Sequence, residues 1–334
     1  MPKKILNDPF DAVDEMLDGI LKAHPGHLRS VGDTGRALVR VNAPLAGKVG
    51  IVTGGGSGHL PMFLGYVGDG LADGAAVGNV FASPGPAPMY DCIKAVDSGH
   101  GVLQIFGNYQ GDCMNFAAAA EMARADGIRV LTSIGTDDVA SAPRDQAQNR
   151  RGVAGLFLAI RLAGAKAREG ASLDDVKRVA DDVIARTRSM GVALSPCIVP
   201  AAGRPTFQIA DDEMEIGMGI HGEPGAMRTK LTSADRIAEE LVESILADLP
   251  LRSGDEVSVL VNGLGATPPM ELYVLFRRVY DLLDAQGIRV HKSFVGEYAT
   301  SLEMAGGSVS VLQLTPELKR LLDLASESPF LLQK

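Results

Sequence analysis

Three short stretches of this chain hold the side chains most able to do chemistry. In MGIHGEPGA (218–226), His221 sits in a bare backbone with Gly219 and Gly222 close by. A neutral imidazole is a nucleophile, a ketone is an electrophile it can capture reversibly, and flanking glycines leave room for a small ligand to reach the ring. Glu223, two residues on, either orients that ring or stands in solvent. In GGGSGH (54–59), glycines precede His59, a spacing that lets backbone N–H groups turn around a small polar or anionic ligand. It is not a Walker A loop, because no Lys-Ser or Lys-Thr follows, and it is not GxGxxG, because His59 stands where the third glycine belongs. In NYQGD (108–112), Asp112 falls where a strand gives way to a helix, as a helix cap or as a carboxylate placed to accept a proton from a hydroxyl. His24, His27, His100 and His291 have no comparable setting and read as structural.

The elements that must position these groups follow from the apolar pattern. Val49 to Gly54 and Gly101 to Phe106 are strand-like runs ending in glycine or polar turns. Met114 to Ala125 reads as a helix and Ile128 to Gly135 as a strand, so strand, helix and strand form a βαβ unit with parallel pairing. Asp8 and Pro9 suit the start of a first helix. Asp137 to Arg151 reads as a solvated polar loop. Helices are expected over about Val153 to Arg168 and from the cap Ser172 to Met190. Strand-like segments then resume. Later helices are expected near Ser233 to Ala247, near Met270 to Gln286, and after the cap Thr315. The expected fold is α/β: two α/β domains, 1–190 and 191–334, with mixed or parallel sheets flanked by helices. The Gly-rich loop falls in the first and His221 in the second. In open α/β sheets, ligands bind at the carboxyl ends of the strands, where GGGSGH and NYQGD both lie.

Composition narrows the function classes. The chain has 334 residues, 46% of them hydrophobic, enough for an extensive buried core. A formal net charge of −9 argues against nucleic acid or an anionic membrane as the main partner. No apolar run reaches a membrane span, and the start lacks a secretory h-region, so a cytoplasmic protein is expected. The three cysteines, Cys92, Cys113 and Cys197, make neither a disulfide framework nor a metal pair, and no metal site is expected.

Taken together and in this order, the motifs resemble the sugar-binding subunit of dihydroxyacetone kinases. The resemblance runs along essentially the whole chain. It also takes in KKILNDPFDAVDEML, GNVFASP (78–84), RRGVAG (150–155), VPAAGRPTF (199–207) and VNGLGATP (261–268). It implies that His221 binds the carbonyl carbon of a short-chain ketose as a hemiaminal. It further implies that the backbone of Gly56, Ser57 and Gly58 lines the substrate, and that His59 and Asp112 act on the hydroxyl to be phosphorylated. Covalent capture would favour a ketone over glycerol and hold its hydroxyl for in-line attack, and positioning dominates phosphoryl transfer. By the same resemblance the chain binds no cofactor. ATP, or ADP recharged by a phosphotransferase-system protein, would sit with Mg²⁺ on a separate helical subunit of the DhaL type, and the chain would form a homodimer.

Two positions depart from the family pattern. Leu60 follows His59 where an acid is usual, and Gly107 stands where a lysine is common. Loss of the long cation points to a ketose larger than dihydroxyacetone, such as a four-carbon erythrulose. A second reading, a ketose-sensing co-activator without kinase activity, is opposed by the presence of both His59 and Asp112.

Overall fold

The computed structural model describes residues 3–334. The first helix, α1 (Ala12–Ala23), buries Val13, Leu17 and Ile20. It begins later than Asp8 and Pro9 suggest: Asp8 closes a turn on the Phe10 amide, and Asp11 is the residue before the helix. Six strands form the first sheet: β1 (Leu28–Val31), β2 (Ala37–Arg40), β3 (Gly50–Ser57), β4 (Gly74–Val80), β5 (Val102–Gly107) and β6 (Val130–Gly135). Their order is β1-β2-β4-β3-β5-β6. The pairs β4/β3, β3/β5 and β5/β6 are parallel, and β1 and β2 add antiparallel pairs at one edge. Between these strands run α2 (Pro86–Val96) and α3 (Gln110–Ala125).

The chain then passes through α4 (Leu156–Arg168) and α5 (Leu173–Arg186) to the second sheet. This consists of β7 (Thr187–Ala193), β8 (Glu213–Ile216), β9 (Met227–Lys230), β10 (Glu256–Gly263), β11 (Arg289–Gly296) and β12 (Gly306–Gln313). Its order is β11-β10-β12-β7-β8-β9, with β10/β11 parallel and the remaining pairs antiparallel. Helices α6 (Ala234–Asp248) and α7 (Pro269–Ala285) cover it, and α8 (Pro316–Leu322) precedes a hairpin of β13 (Ser326–Ser328) and β14 (Leu331–Gln333). Both sheets are mixed and flanked by helices, as an α/β fold requires.

Packing arranges these elements in layers. One apolar cluster joins α2 and α3 to one face of the first sheet. A second joins Ile51 and Leu103 of that sheet's other face to α4 and α5, and to Leu260 and Leu312 of the second sheet. A third packs α6 and α7 on the far face of the second sheet. Helix α4, buried from Leu156 to Ala165, is therefore the central layer, which explains why its sequence is apolar on every side.

Two expectations are corrected here. The helix begun at Ser172, whose hydroxyl accepts from the Asp175 amide, ends at Arg186 and not Met190. Thr187 to Ala193 pair with β12, and that ladder outweighs the helix-compatible pattern. The stretch Asp137 to Arg151 is solvated only in its middle, about residues 143–149, and its ends are not, because Asp137, Asp138 and Arg150 are all buried. Asp137 accepts from the Val153 and Gly155 amides and from Ser189, and Arg150 makes a bidentate pair with Asp248. Burial is tolerated because each charge finds partners. The cap at Thr315 stands as expected, and Ser233 caps α6 in the same way, each accepting from an amide in the first turn. Among the described residues no helix is long and apolar enough to cross a membrane.

Candidate active site

His221 follows β8 on a loop that folds back on itself. Its Nδ1 donates to Glu223 Oε1 at 2.9 Å, and its backbone N–H donates to Glu223 Oε2 at 2.9 Å. One carboxylate thus grips the residue twice and fixes both ring and backbone. With Nδ1 as donor, the neutral ring keeps its lone pair on Nε2. Burial pushes the Glu223 carboxyl up, but its hydrogen bonds and the neighbouring imidazole outweigh this and hold it at about 2. Glu223 is therefore an orienting group, which resolves the two readings of its motif. Arg151 anchors the same loop to the first sheet's side: Nε donates to Asp138 at 2.8 Å and Nη2 to the Gly217 carbonyl at 3.0 Å.

Three rings surround His221. His59, Phe81 and Tyr109 meet it at centroid distances of 4.8, 5.2 and 4.7 Å, each nearly perpendicular. His59 lies just beyond the end of β3, stacked on Phe81 at 4.9 Å. Its Nδ1 is 2.7 Å from the Thr300 carbonyl, which can only accept, so Nδ1 carries the proton and Nε2 the lone pair. Nε2 is buried without a partner in the chain. Burial, then the nearby His221, lower the His59 pKa to about 3 despite the Thr300 carbonyl and Glu223, so it is neutral near pH 7.

Asp112 is not the cap that its position suggested. Tyr109 precedes the first residue of α3, and Asp112 sits in the first turn. Its side chain is buried, and Oδ1 has no partner in the chain. Burial raises its pKa to about 6, against a hydrogen bond from Ser83 and the charge of His221. This is a carboxyl poised to change protonation close to neutral pH.

These groups meet at a cavity of about 350 Å³ lined by Gly56, Ser83, Tyr109, Asp112, His221 and Glu223, among others. Gly56 belongs there by close approach, since a Cβ would come within 2.7 Å of the Ala82 nitrogen. Not every expected residue lines this space. His59 lies one ring deeper, against His221 and Phe81. Ser57 donates to the Gly78 carbonyl at 2.7 Å, and Ser57 and Gly58 line a different cavity of about 570 Å³, together with Leu60. Leu60 therefore does not bear on the size of a ligand beside His221. Nor does Gly107 leave a void: a Cβ there would meet the Tyr109 ring and the Gly152 carbonyl at 3.1 Å. Among the described residues no group of three or more His, Cys, Asp or Glu is arranged to hold a metal ion.

Phe81, Ser83 and Tyr109 were not singled out by sequence reasoning, although each lies inside a recognised motif. The Thr300 carbonyl, which sets the His59 tautomer, carries no sequence signal at all.

Comparisons with known proteins found a family model and several relatives. The family model for the Dak1 domain matches residues 18–330. The "PTS-dependent dihydroxyacetone kinase 2, dihydroxyacetone-binding subunit DhaK" of Listeria innocua is 44% identical, over 98% of this chain and 98% of its own length. A "D-erythrulose kinase" of Mycolicibacterium smegmatis is 43% identical over 98% of this chain, which spans 56% of that protein. Among solved structures, the native dihydroxyacetone kinase of C. freundii matches with a TM-score of 0.88 at 31% identity, covering 98% of this chain and 60% of that one. The "Dihydroxyacetone kinase operon co-activator Dha-DhaQ" matches with a TM-score of 0.87 at 34% identity, covering 93% and 96%.

Proposed function

This chain belongs to the Dak1 domain family, and we propose from that premise that it is the ketose-binding subunit of a phosphotransferase with an alcohol acceptor. The observation that carries the reading is the His221–Glu223 pair beside a cavity of about 350 Å³. The Nε2 lone pair bonds the carbonyl carbon of a short-chain ketose, and the carbonyl π pair moves to oxygen. The Nδ1 proton passes to Glu223 and on to water, while the alkoxide takes a proton from water. The product is a neutral hemiaminal, and no other reactant is needed. Glu223 stabilises the positive charge that builds on the ring during attack.

Capture leaves a terminal hydroxyl within the same small space as Asp112. Its ionised carboxylate draws the proton from that hydroxyl as it attacks phosphorus, and His59, one ring deeper, packs against His221. Positioning and charge stabilisation then do most of the work. The nucleotide, with Mg²⁺, belongs to a separate helical subunit. In support, relatives that this chain covers end to end are named as dihydroxyacetone-binding subunits. The C. freundii kinase complexed with AMP-PNP and Mg²⁺ is a longer chain, of which this one spans 60%. The names of relatives, for dihydroxyacetone and for erythrulose, support a three- or four-carbon ketose as the substrate. With Leu60 facing another cavity and no void at Gly107, neither departure argues by space for a larger ketose. A homodimer and a cytoplasmic setting belong to the same proposal.

The test is ¹³C NMR of protein mixed with carbonyl-labelled dihydroxyacetone or erythrulose. A new resonance in the sp³ range, lost in His221→Ala, supports capture. Folded protein that gives no such signal with either ketose overturns it. The co-activator reading is favoured by the likeness to Dha-DhaQ and to a structure titled for regulation of the dha operon of Lactococcus lactis. Mixing with a helical nucleotide-binding subunit and ATP decides between them, since phosphorylated ketose excludes a pure sensor.

A further inference from the structure

The rim of the His221 cavity holds a polar group that the mechanism above leaves unused. The Tyr109 hydroxyl is buried and has no hydrogen-bond partner in the chain. Buried hydroxyls are almost always satisfied, so an orphan in a ligand cavity is a group waiting for a ligand atom. The ring packs edge-on against His221 at 4.7 Å, and Tyr109 lines the same cavity as Asp112.

The two orphaned oxygens on that wall are different in kind. Asp112 Oδ1 accepts when ionised, and Tyr109 supplies a donor. The Tyr109 ring lies edge-on to His221, which puts the phenol at the end of the cavity where the ketose carbonyl would bond. Burial and the carboxylate of Glu223 hold the phenol well above its ordinary value, so it keeps its proton at neutral pH. A ketose bonded to His221 presents one new group at that end, the oxygen of the former carbonyl, on which negative charge develops.

We propose that Tyr109 is the donor that binds this oxygen, stabilising the hemiaminal by a hydrogen bond while retaining its own proton. The inference rests on capture by His221. It assigns to Tyr109 the work of an oxyanion hole, aimed at charge that appears only as the N–C bond forms. It also adds to the preference for ketones over polyols of similar size, because glycerol offers no such oxygen.

The experiment is a titration of Tyr109→Phe with carbonyl-labelled dihydroxyacetone followed by ¹³C NMR. Wild type, His221→Ala and Gly85→Ala serve as comparisons, and thermal melts are run for each. Phenylalanine keeps the ring against His221, so the melting temperature is expected within a few degrees of wild type. The hemiaminal signal should then need about 10- to 100-fold more ketose to reach half-saturation. Gly85→Ala, where a Cβ meets nothing within 4 Å, should leave that midpoint within about threefold. Wild-type capture with an unchanged midpoint in Tyr109→Phe overturns the role of Tyr109 and leaves capture standing. Absence of a hemiaminal in wild type overturns both. If Tyr109→Phe melts early, 3-fluorotyrosine at position 109 replaces it. A midpoint that does not respond to that more acidic phenol then overturns the proposal.

Discussion

His221 and Glu223 form a closed unit: one carboxylate takes both the ring Nδ1–H and the backbone N–H of the same histidine, each at 2.9 Å. The imidazole is thereby fixed in tautomer and direction before any ligand arrives. Replacing Glu223 by Gln keeps one acceptor but removes the negative charge that balances the ring during attack. Ketose capture should weaken by roughly 10- to 100-fold with little change in stability, read as the half-saturation of the hemiaminal NMR signal. A midpoint within twofold of wild type would show that the contact is only structural.

Gly219 provides a steric test of the same unit. A Cβ there would overlap Glu223 Oε2 and come within 2.5 Å of Arg151 Nη1. Gly219→Ala should push the carboxylate off His221 and cost as much capture as Glu223→Gln. Gly85→Ala, where a Cβ meets nothing within 4 Å, should leave capture unchanged. Equal capture in the two alanine variants would mean that the loop relaxes freely.

Asp112 couples activity to pH. Its pKa is raised to about 6, so phosphoryl transfer, assayed with the nucleotide subunit, should climb with pH through about 6 as the carboxylate ionises. His59, held at about 3, should add no limb between pH 5 and 8. Asp112→Asn should erase the limb and slow transfer about 10²- to 10⁴-fold while sparing capture. Equal loss of capture and transfer would assign Asp112 to binding instead.

Stability should move the opposite way at that residue. A folded pKa above the unfolded value means that the native state binds more protons between about pH 4 and pH 6, so stability falls as pH rises through that window. Asp112→Asn removes an ionised carboxylate with an unpaired oxygen from a buried site. Above pH 6 it should stabilise the fold by on the order of 1–2 kcal/mol, measured by urea unfolding at pH 7.5. A destabilised variant would show that the Ser83 contact outweighs the burial cost.

Arg150 and Asp248 join the loop before α4 to the end of α6. Arg150 pairs with both oxygens of Asp248, at 2.9 and 2.6 Å, and Arg188 meets the same carboxylate. Asp248→Asn strands a fully buried guanidinium and should cost about 3 kcal/mol in urea unfolding. The carboxylate is held at about 2, first by the Arg150 hydrogen bonds, so its contribution is complete above about pH 4 and fades as pH falls through 2. A loss below about 1 kcal/mol would mean that water replaces the carboxylate.

Sequence alone determined much of this protein. Apolar periodicity located most of the helices and strands, and Ser172 and Thr315 announced their caps, because such signals are local. The residues proposed to carry chemistry, His221, His59 and Asp112, were singled out by their glycine-bearing motifs and by the family resemblance that those motifs carry together. Tertiary structure alone decided how they work together. Thr300, 241 positions from His59, sets that ring's tautomer with a backbone carbonyl, which any residue type supplies. Phe81 and Tyr109 enclose His221 only because the loops after β4 and β5 converge on the loop after β8. Asp137, Asp138 and Arg150 look like loop charges in one dimension, and only packing reveals the partners that let them be buried. Pattern along a chain records each residue's neighbours in sequence. Tautomer, protonation and enclosure depend on neighbours in space.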